Sequence, residues 1–153
     1  MSGEQVRTFL MEHGVRYETR VHPRAFTIGE IAEAEHVPGE QMAKAVMVHS
    51  DDGLVMAVLP GNQVLDLDKA KTALHSTAVR LASEAEFSSH FPDCEVGAEP
   101  PFGALYDVPM LVDQTLQSKE ITFNAGTHTE TLTMALSDYL ELTKPQRVDL
   151  AAI

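Results

Sequence analysis

The sequence holds one cysteine, Cys94, and no tryptophan in its 153 residues. A single thiol excludes a disulfide within the chain, and with it a zinc cluster built on several cysteines. It favours a reducing setting. Basic charge is scarce as well: 11 Lys and Arg stand against 23 Asp and Glu, a formal net charge of -12. Such a surface repels nucleic acid, because non-specific phosphate affinity comes from clustered Lys and Arg. No apolar run approaches the roughly 20 residues that span a bilayer. Met1-Ser2-Gly3-Glu4-Gln5 lacks the basic-then-apolar pattern of a secretion signal. The expectation is a cytoplasmic protein with no membrane partner.

Several chemical signatures are missing too. There is no Gly-x-Ser-x-Gly elbow for a serine nucleophile. No glycine-rich turn links a strand to a helix with dinucleotide or Walker spacing, so a doubly wound nucleotide fold is not expected. His13, His22, His36, His49, His75, His90 and His128 are scattered, without a His-x-x-x-His pair or a His-Glu-x-x-His motif. No metal and no cofactor are expected. Cys94 sits between Asp93 and Glu95, whose charges raise a thiol's pKa and suppress the reactive thiolate.

What is present is an ordinary globular composition, 44% hydrophobic and 22% charged, with no repeat or linker. The length suits one domain over 1–153 with its own core. Glu4 to His13 has helical spacing and meets Gly14, a good helix stop. Val15 to Val21 alternates like a half-buried strand. Thr27 and Glu30 form a capping box opening a helix that ends before Val37-Pro38-Gly39. Ala43 to His49 and Leu54 to Leu59 read as strands joined by the turn Ser50-Asp51-Asp52-Gly53.

Asp66 or Asp68 caps a helix through Leu74, Val79 to Leu81 is a brief strand, and Ser83 with Glu86 is a second capping box. Met110 to Asp113, Ile121 to Phe123 and Thr129 to Met134 are strand-like. Ser137 caps a last helix that Pro145 stops. Strands joined partly by hairpins and partly by helices predict an α+β fold, a curved mixed and mostly antiparallel sheet flanked by helices.

Two segments stand out chemically. Lys44 opens the apolar run Ala45-Val46-Met47-Val48. A lysine there either snorkels to water or points into a cleft, where its compact cation binds phosphate or polarises an ester. Gly97-Ala98-Glu99-Pro100-Pro101-Phe102-Gly103 is a stiff loop between strands. Gly97 can take angles closed to other residues, and the prolines restrict their neighbours. It is either a plain rigid connection or a bend whose free N–H groups converge on an oxygen. Asn124, Gly126, Thr127 and His128 make a polar island that a simple hairpin turn also explains. Arg16, Arg20, His22 and Arg24, interrupted by Glu18, are the one local basic stretch, set against the alternative of a solvated strand face.

Taken in order, these segments resemble the YbaK/ProX family of aminoacyl-tRNA deacylases, also found as the editing domain of bacterial prolyl-tRNA synthetases. The matching pieces are His22-Pro23 before the capped helix, Lys44 leading its strand, the Gly-x-x-x-Pro loop from Gly97 to Pro101, and Phe123-Asn124-Ala125-Gly126. The resemblance runs from about Val15 to Leu142. It implies hydrolysis of the ester between a wrong small amino acid (Ala, Ser, Thr, Cys or Pro) and the terminal adenosine of a tRNA, by a water activated with help from the substrate. Lys44 then binds the 3' end and the Gly97 amide holds the ester carbonyl, while Pro101 stiffens the loop. His22, Ala98, Phe102, Asn124, Gly126 and His128 complete the substrate-binding set, with His128 as a hydrogen-bond donor on the pocket wall.

Ala45, next to the lysine, stands where family members differ. The acidic surface fits contact with the aminoacyl-tRNA acceptor end alone, with a synthetase or elongation factor supplying the rest. The alternative is a non-catalytic module of the same fold that binds a nucleotide or aminoacyl group. Oligomeric state is not legible.

Overall fold

Two apolar residues four apart, Val6 and Leu10, anchor the first helix, α1 (Glu4–Glu12), on one buried stripe. The computed structural model describes residues 4–152. After Gly14 turns the chain with a φ of +65°, strand β1 (Tyr17–Val21) pairs antiparallel with β7 (Glu130–Ala135). β7 pairs in turn with β6 (Glu120–Asn124), giving a three-stranded antiparallel sheet in the order β1-β7-β6. The strict alternation expected of β1 fails: it is an edge strand, and Val21 at its end stays 74% exposed.

The capping box forms as expected. Thr27 Oγ1 accepts from the Glu30 N–H and Glu30 accepts from the Thr27 N–H, starting α2 (Ile28–Glu35). Strands β2 (Ala43–Ser50) and β3 (Gly53–Pro60) then form a hairpin with Asp51 and Asp52 at its tip. Gly61 closes the turn that follows. A Cβ there would lie 2.4 Å from Ile28 Cγ2, so only glycine lets the turn reach α2. Asp66, rather than Asp68, caps α3 (Leu67–Leu74) by accepting from the Asp68 and Lys69 amides. Short β4 (Arg80–Leu81) joins β2, and Ser83 caps a single turn, α4 (Glu84–Phe87).

β5 (Met110–Asp113) lies parallel to β3, and β8 (Gln146–Val148) lies parallel to β5. The second sheet is therefore mixed, in the order β4-β2-β3-β5-β8. One sheet was expected and two are found, with the chemistry-bearing residues at their junction. The last helix, α5 (Leu136–Thr143), corrects another expectation: its N-cap is Ala135, and Ser137 lies inside the first turn. β7 runs straight into α5, leaving no loop for a side-chain cap, and the Leu136 N–H donates to Lys119 O instead. β8 was not foreseen, since Gln146-Arg147-Val148 is too short and polar to signal a strand.

The main core fills the space between the sheets. Ile121, Phe123, Leu132 and Met134 face Ala43, Met47, Met56 and Val58, with α1 and Tyr139 of α5 closing the ends. Burying each large side chain contributes roughly 1.5–3 kcal/mol. A second cluster packs α3 through Ala70 on Val48, Val55, Ala57 and Leu59. A third packs Ile31 and Ala32 of α2 on Met42.

Candidate functional site at the seam between the sheets

The sheets meet where Met42 forms a parallel bridge with Thr122, supported by a hydrogen bond from Gln41 Nε2 to Thr122 Oγ1 at 3.1 Å. Side chains alternate with a period of two, so Lys44 falls on the same side of its strand as Met42, and Asn124 on the same side of β6 as Thr122. Lys44 is half-buried, and its Nζ donates to Gln63 O in the turn after β3. Burial pulls its pKa below the usual lysine value. It therefore neither extends freely into water nor meets a protein carboxylate among the ion pairs of the described residues.

The Gly97 loop roofs the end of β6. Its residues zip onto the β6–β7 turn: the Glu95 N–H donates to Gly126 O at 2.7 Å and the Gly126 N–H to Ala98 O at 2.9 Å. Asn124 Nδ2 reaches Gly97 O at 3.5 Å. Gly97 takes a φ of +89°, a region that disfavours any side chain. The loop does not run directly between strands; a stretch of short turns carries it in from α4 and a 3-10 turn, Gly103–Tyr106, carries it out to β5. Nor are its amides free. The Gly97 N–H donates to both oxygens of the Glu99 carboxylate, at 3.2 and 3.0 Å, and the Ala98 N–H to Glu95 O. Burial pushes the Glu99 pKa up, against the lowering pull of the Gly97 amide.

His128 braces the loop from below. Its Nε2 lies 2.8 Å from Val96 O, and because a carbonyl only accepts, Nε2 is the protonated nitrogen. The ring's donor is thus spent on the loop. Its remaining nitrogen, Nδ1, is a buried acceptor without a protein partner among the described residues, as is Asn124 Oδ1. Both residues are at least nine-tenths buried. A buried acceptor left unpaired costs about 1–3 kcal/mol, so these two atoms mark where a hydroxyl or ammonium donor would be accepted.

Other expected residues land elsewhere. His22 is buried, its side chain 1% exposed, with Nδ1 2.7 Å from Pro23 O and Nε2 3.5 Å from the Glu35 carboxylate. Thr131 Oγ1 donates to that same carboxylate. His22 ties β1 to α2 from inside rather than facing a ligand. Phe102 turns into the core, edge-on to Phe9, Phe123 and Tyr139. Ala98 and Pro101 are buried, and Pro101 O accepts from the Tyr139 hydroxyl at 2.7 Å. They set the loop's position. The basic stretch is not one patch: Arg20 bonds Glu18 and Glu35 O, Arg24 pairs with Glu95, His22 is buried, and Arg16 stays exposed.

Sequence reasoning missed Glu99, Glu35 and Thr131, which carry no motif and act only through partners distant in the chain. It also missed that Phe26, just before the capped helix, stays 63% exposed against His128.

Burial first, then the nearby Asp93 and Glu99 charges, push the Cys94 thiol up to about 12, so it stays protonated. The expected direction holds, though burial outweighs charge and Glu99 acts where Glu95 was expected. No group of three or more His, Cys, Asp or Glu side chains among the described residues is arranged to hold a metal ion. A cleft of about 440 Å³ lies between Phe9, Phe102, Met110 and Leu142. Neither Lys44, Asn124 nor His128 lines it.

The model of the aminoacyl-tRNA editing domain matches residues 22–142, the stretch that holds the seam, the loop and α5. The chain belongs to the aminoacyl-tRNA editing family. It is 26% identical over 152 residues to the multifunctional Ser/Thr-tRNA deacylase ProXp-y of Escherichia coli K12, covering 95% of this chain and 90% of that protein. It is 36% identical over 108 residues to proline–tRNA ligase of Shouchella clausii, covering 71% of this chain. The chain spans only 19% of the length of that ligase. A crystal structure of a candidate trans-editing enzyme for prolyl tRNA synthetase superposes with a TM-score of 0.87 at 23% identity, over 99% of this chain and 97% of that one. This fold is thus the editing-domain fold, α+β with a mixed and an antiparallel sheet. No helix among the described residues is long and apolar enough to cross a membrane.

Proposed function

We propose that this protein is a trans-editing hydrolase that removes a wrongly attached small amino acid from the 3' end of a tRNA. Water adds to the ester carbonyl carbon, the bond to the ribose oxygen breaks, and free amino acid and tRNA with its hydroxyl restored are released. The Gly97 amide holds the carbonyl oxygen as charge builds on it. Lys44 holds the phosphate-bearing 3' end. Asn124 Oδ1 and His128 Nδ1 accept from the α-ammonium or from the free ribose hydroxyl. The alanine, serine, threonine, cysteine and proline esters are the candidates, on the cytoplasmic tRNA pool. A pocket of this kind separates neighbours differing by a methylene or hydroxyl by roughly 10- to 200-fold, so several are hydrolysed.

One observation carries the reading. The Gly97 amide already grips a carboxylate oxygen pair, that of Glu99, and an ester carbonyl presents the same kind of acceptor. Glu99 must turn aside for substrate to enter. Burial raises its pKa and so already opposes its charge in that position. The net charge of -12 limits contact to the acceptor end, so a synthetase or elongation factor supplies tRNA selection.

The occupied amide also favours a second reading, a non-catalytic module that binds aminoacyl-nucleosides without turnover. tRNAs charged with Ala, Ser, Thr, Cys and Pro separate the two. The wild type is expected to speed ester loss on at least one, and Lys44→Ala to slow it about a hundredfold or more. Saturable binding of an aminoacyl-adenosine analogue without ester loss would select the second reading. Full activity in Lys44→Ala would overturn the role of the lysine.

A further inference from the structure

A hydrophobic residue just before a helix N-cap normally staples onto the fourth residue of the helix. Phe26 holds that position before Thr27, yet its ring stays 63% exposed and rests on His128, centroids 4.8 Å apart at 48°. The Arg24 guanidinium lies over the same ring, 5.7 Å from its centroid. The guanidinium's two terminal nitrogens, Nη1 and Nη2, donate to the Glu95 carboxylate oxygens, at 3.4 Å each. Glu95 also accepts from the His128 N–H at 2.8 Å, and Val96, itself 41% exposed, takes the His128 Nε2–H. Arg24, Phe26 and His128 thus form one braced ledge at the rim of the Gly97 loop.

We propose that this ledge stacks the unpaired base of the RNA's 3'-terminal adenosine. An aromatic ring and a planar guanidinium are what single-stranded nucleic-acid sites offer to a base face. Position supports the same occupant. His128 links the two places: a Cβ on Gly97 would lie 3.4 Å from its Cε1, and Phe26 lies against its ring. The base and the ester hang from one ribose, so an ester at Gly97 brings the base to the rim. The ledge contributes little to folding, since Phe26 is mostly exposed and the Arg24–Glu95 pair lies at the surface.

The identity of the RNA rests on the editing function proposed above, so binding and hydrolysis are measured separately. The probe is an unacylated RNA stem–loop with a single-stranded 3' end closing in adenosine, compared with the same RNA whose terminal base is removed. Removing the base is expected to weaken wild-type binding at least about fivefold. Phe26→Ala and Phe26→Leu should each weaken binding of the intact RNA by a similar factor, with no loss for the abasic RNA and an unchanged melting temperature. In Phe26→Trp, the intact RNA should quench the indole fluorescence and the abasic RNA should not. Equal binding of the two RNAs by the wild type, no binding of either, or wild-type affinity in Phe26→Ala would overturn the ledge. Base-dependent binding without hydrolysis of any charged tRNA would uphold the ledge and defeat the editing function. Hydrolysis with wild-type kinetics and affinity in both Phe26→Ala and Phe26→Leu would do the reverse.

Discussion

Two buried polar clusters in this molecule are built alike and end differently. At the C-terminal end of β5, the Asp113 carboxylate is 0% exposed and accepts from the Leu150 N–H at 2.6 Å, the Ala151 N–H at 3.0 Å and the Thr115 N–H and hydroxyl. Arg147 adds bonds to the carbonyls of Asp113, Gln114 and Leu116, so the chain end is tied to β5 on every side. At the seam, Asn124 Oδ1 and His128 Nδ1 are as deeply buried and have no protein partner among the described residues. A closed network rigidifies, and an open one keeps acceptors for something else. Burial of polar groups therefore identifies no site by itself. Neither does a single unmet hydrogen bond, since buried His22 Nε2 also lacks one among the described residues. Two unmet acceptors on residues bonded to the Gly97 loop set the seam apart.

Substitutions at three positions would break or sharpen that contrast. Asp113→Ala should have the largest effect, about 3 kcal/mol of stability, because it strands the Leu150 and Ala151 donors. Denaturant unfolding measures it, and deacylation by the remaining folded protein should be unchanged. Asp113→Asn keeps an acceptor and should cost less. Burial alone would raise the Asp113 pKa, but the donors win and hold it below the usual carboxylate value. The stabilisation is thus present above the unfolded pKa of about 3.9 and is lost as pH falls through the folded value.

Gly97→Ala comes next. A methyl would meet only ordinary contact with His128, so the cost is the φ of +89°, about 1–2 kcal/mol. The melting temperature should drop by a few degrees, and deacylation should fall about tenfold or more as the amide swings off its target. An active Gly97→Ala would show that the loop does not hold the carbonyl.

Glu99→Gln should have the smallest effect, under about 1 kcal/mol. Burial raises the Glu99 pKa in the folded protein, so ionisation is penalised as pH rises through that folded value. The variant should be slightly more stable than the wild type at pH 7, and that advantage should vanish as pH falls below the unfolded carboxylate value. Thermal melts across pH 4–8, a range set by carboxylate titration, measure it. A Glu99→Gln protein less stable at pH 7 would mean that the Gly97 amide outweighs burial.

Much of the fold was legible because local chemistry determines it. The Thr27–Glu30 and Ser83–Glu86 boxes, the Asp51-Asp52-Gly53 hairpin and the helix stop before Pro145 each depend on a few adjacent residues and were read correctly. What failed depends on distant partners. Ser137 looks like a cap until β7 runs directly into the helix, and β8 exists only because β5 offers an edge. Phe102 belongs to a recurring loop pattern, yet three aromatic rings from other segments draw it into the core.

The sequence by itself determined the editing-domain pattern, the glycine with its following prolines, and the lysine at the head of an apolar strand, because order, spacing and residue type suffice for these. Only the tertiary structure decided what each faces. It joined the sheets through one bridge from Met42 to Thr122, bonded Lys44 to Gln63 O, spent the His128 donor on Val96, and seated Glu99 in the Gly97 amide. The physical reason is that hydrogen bonds and burial join residues 19 to 81 positions apart, and no local pattern in a chain records which donor will reach which acceptor.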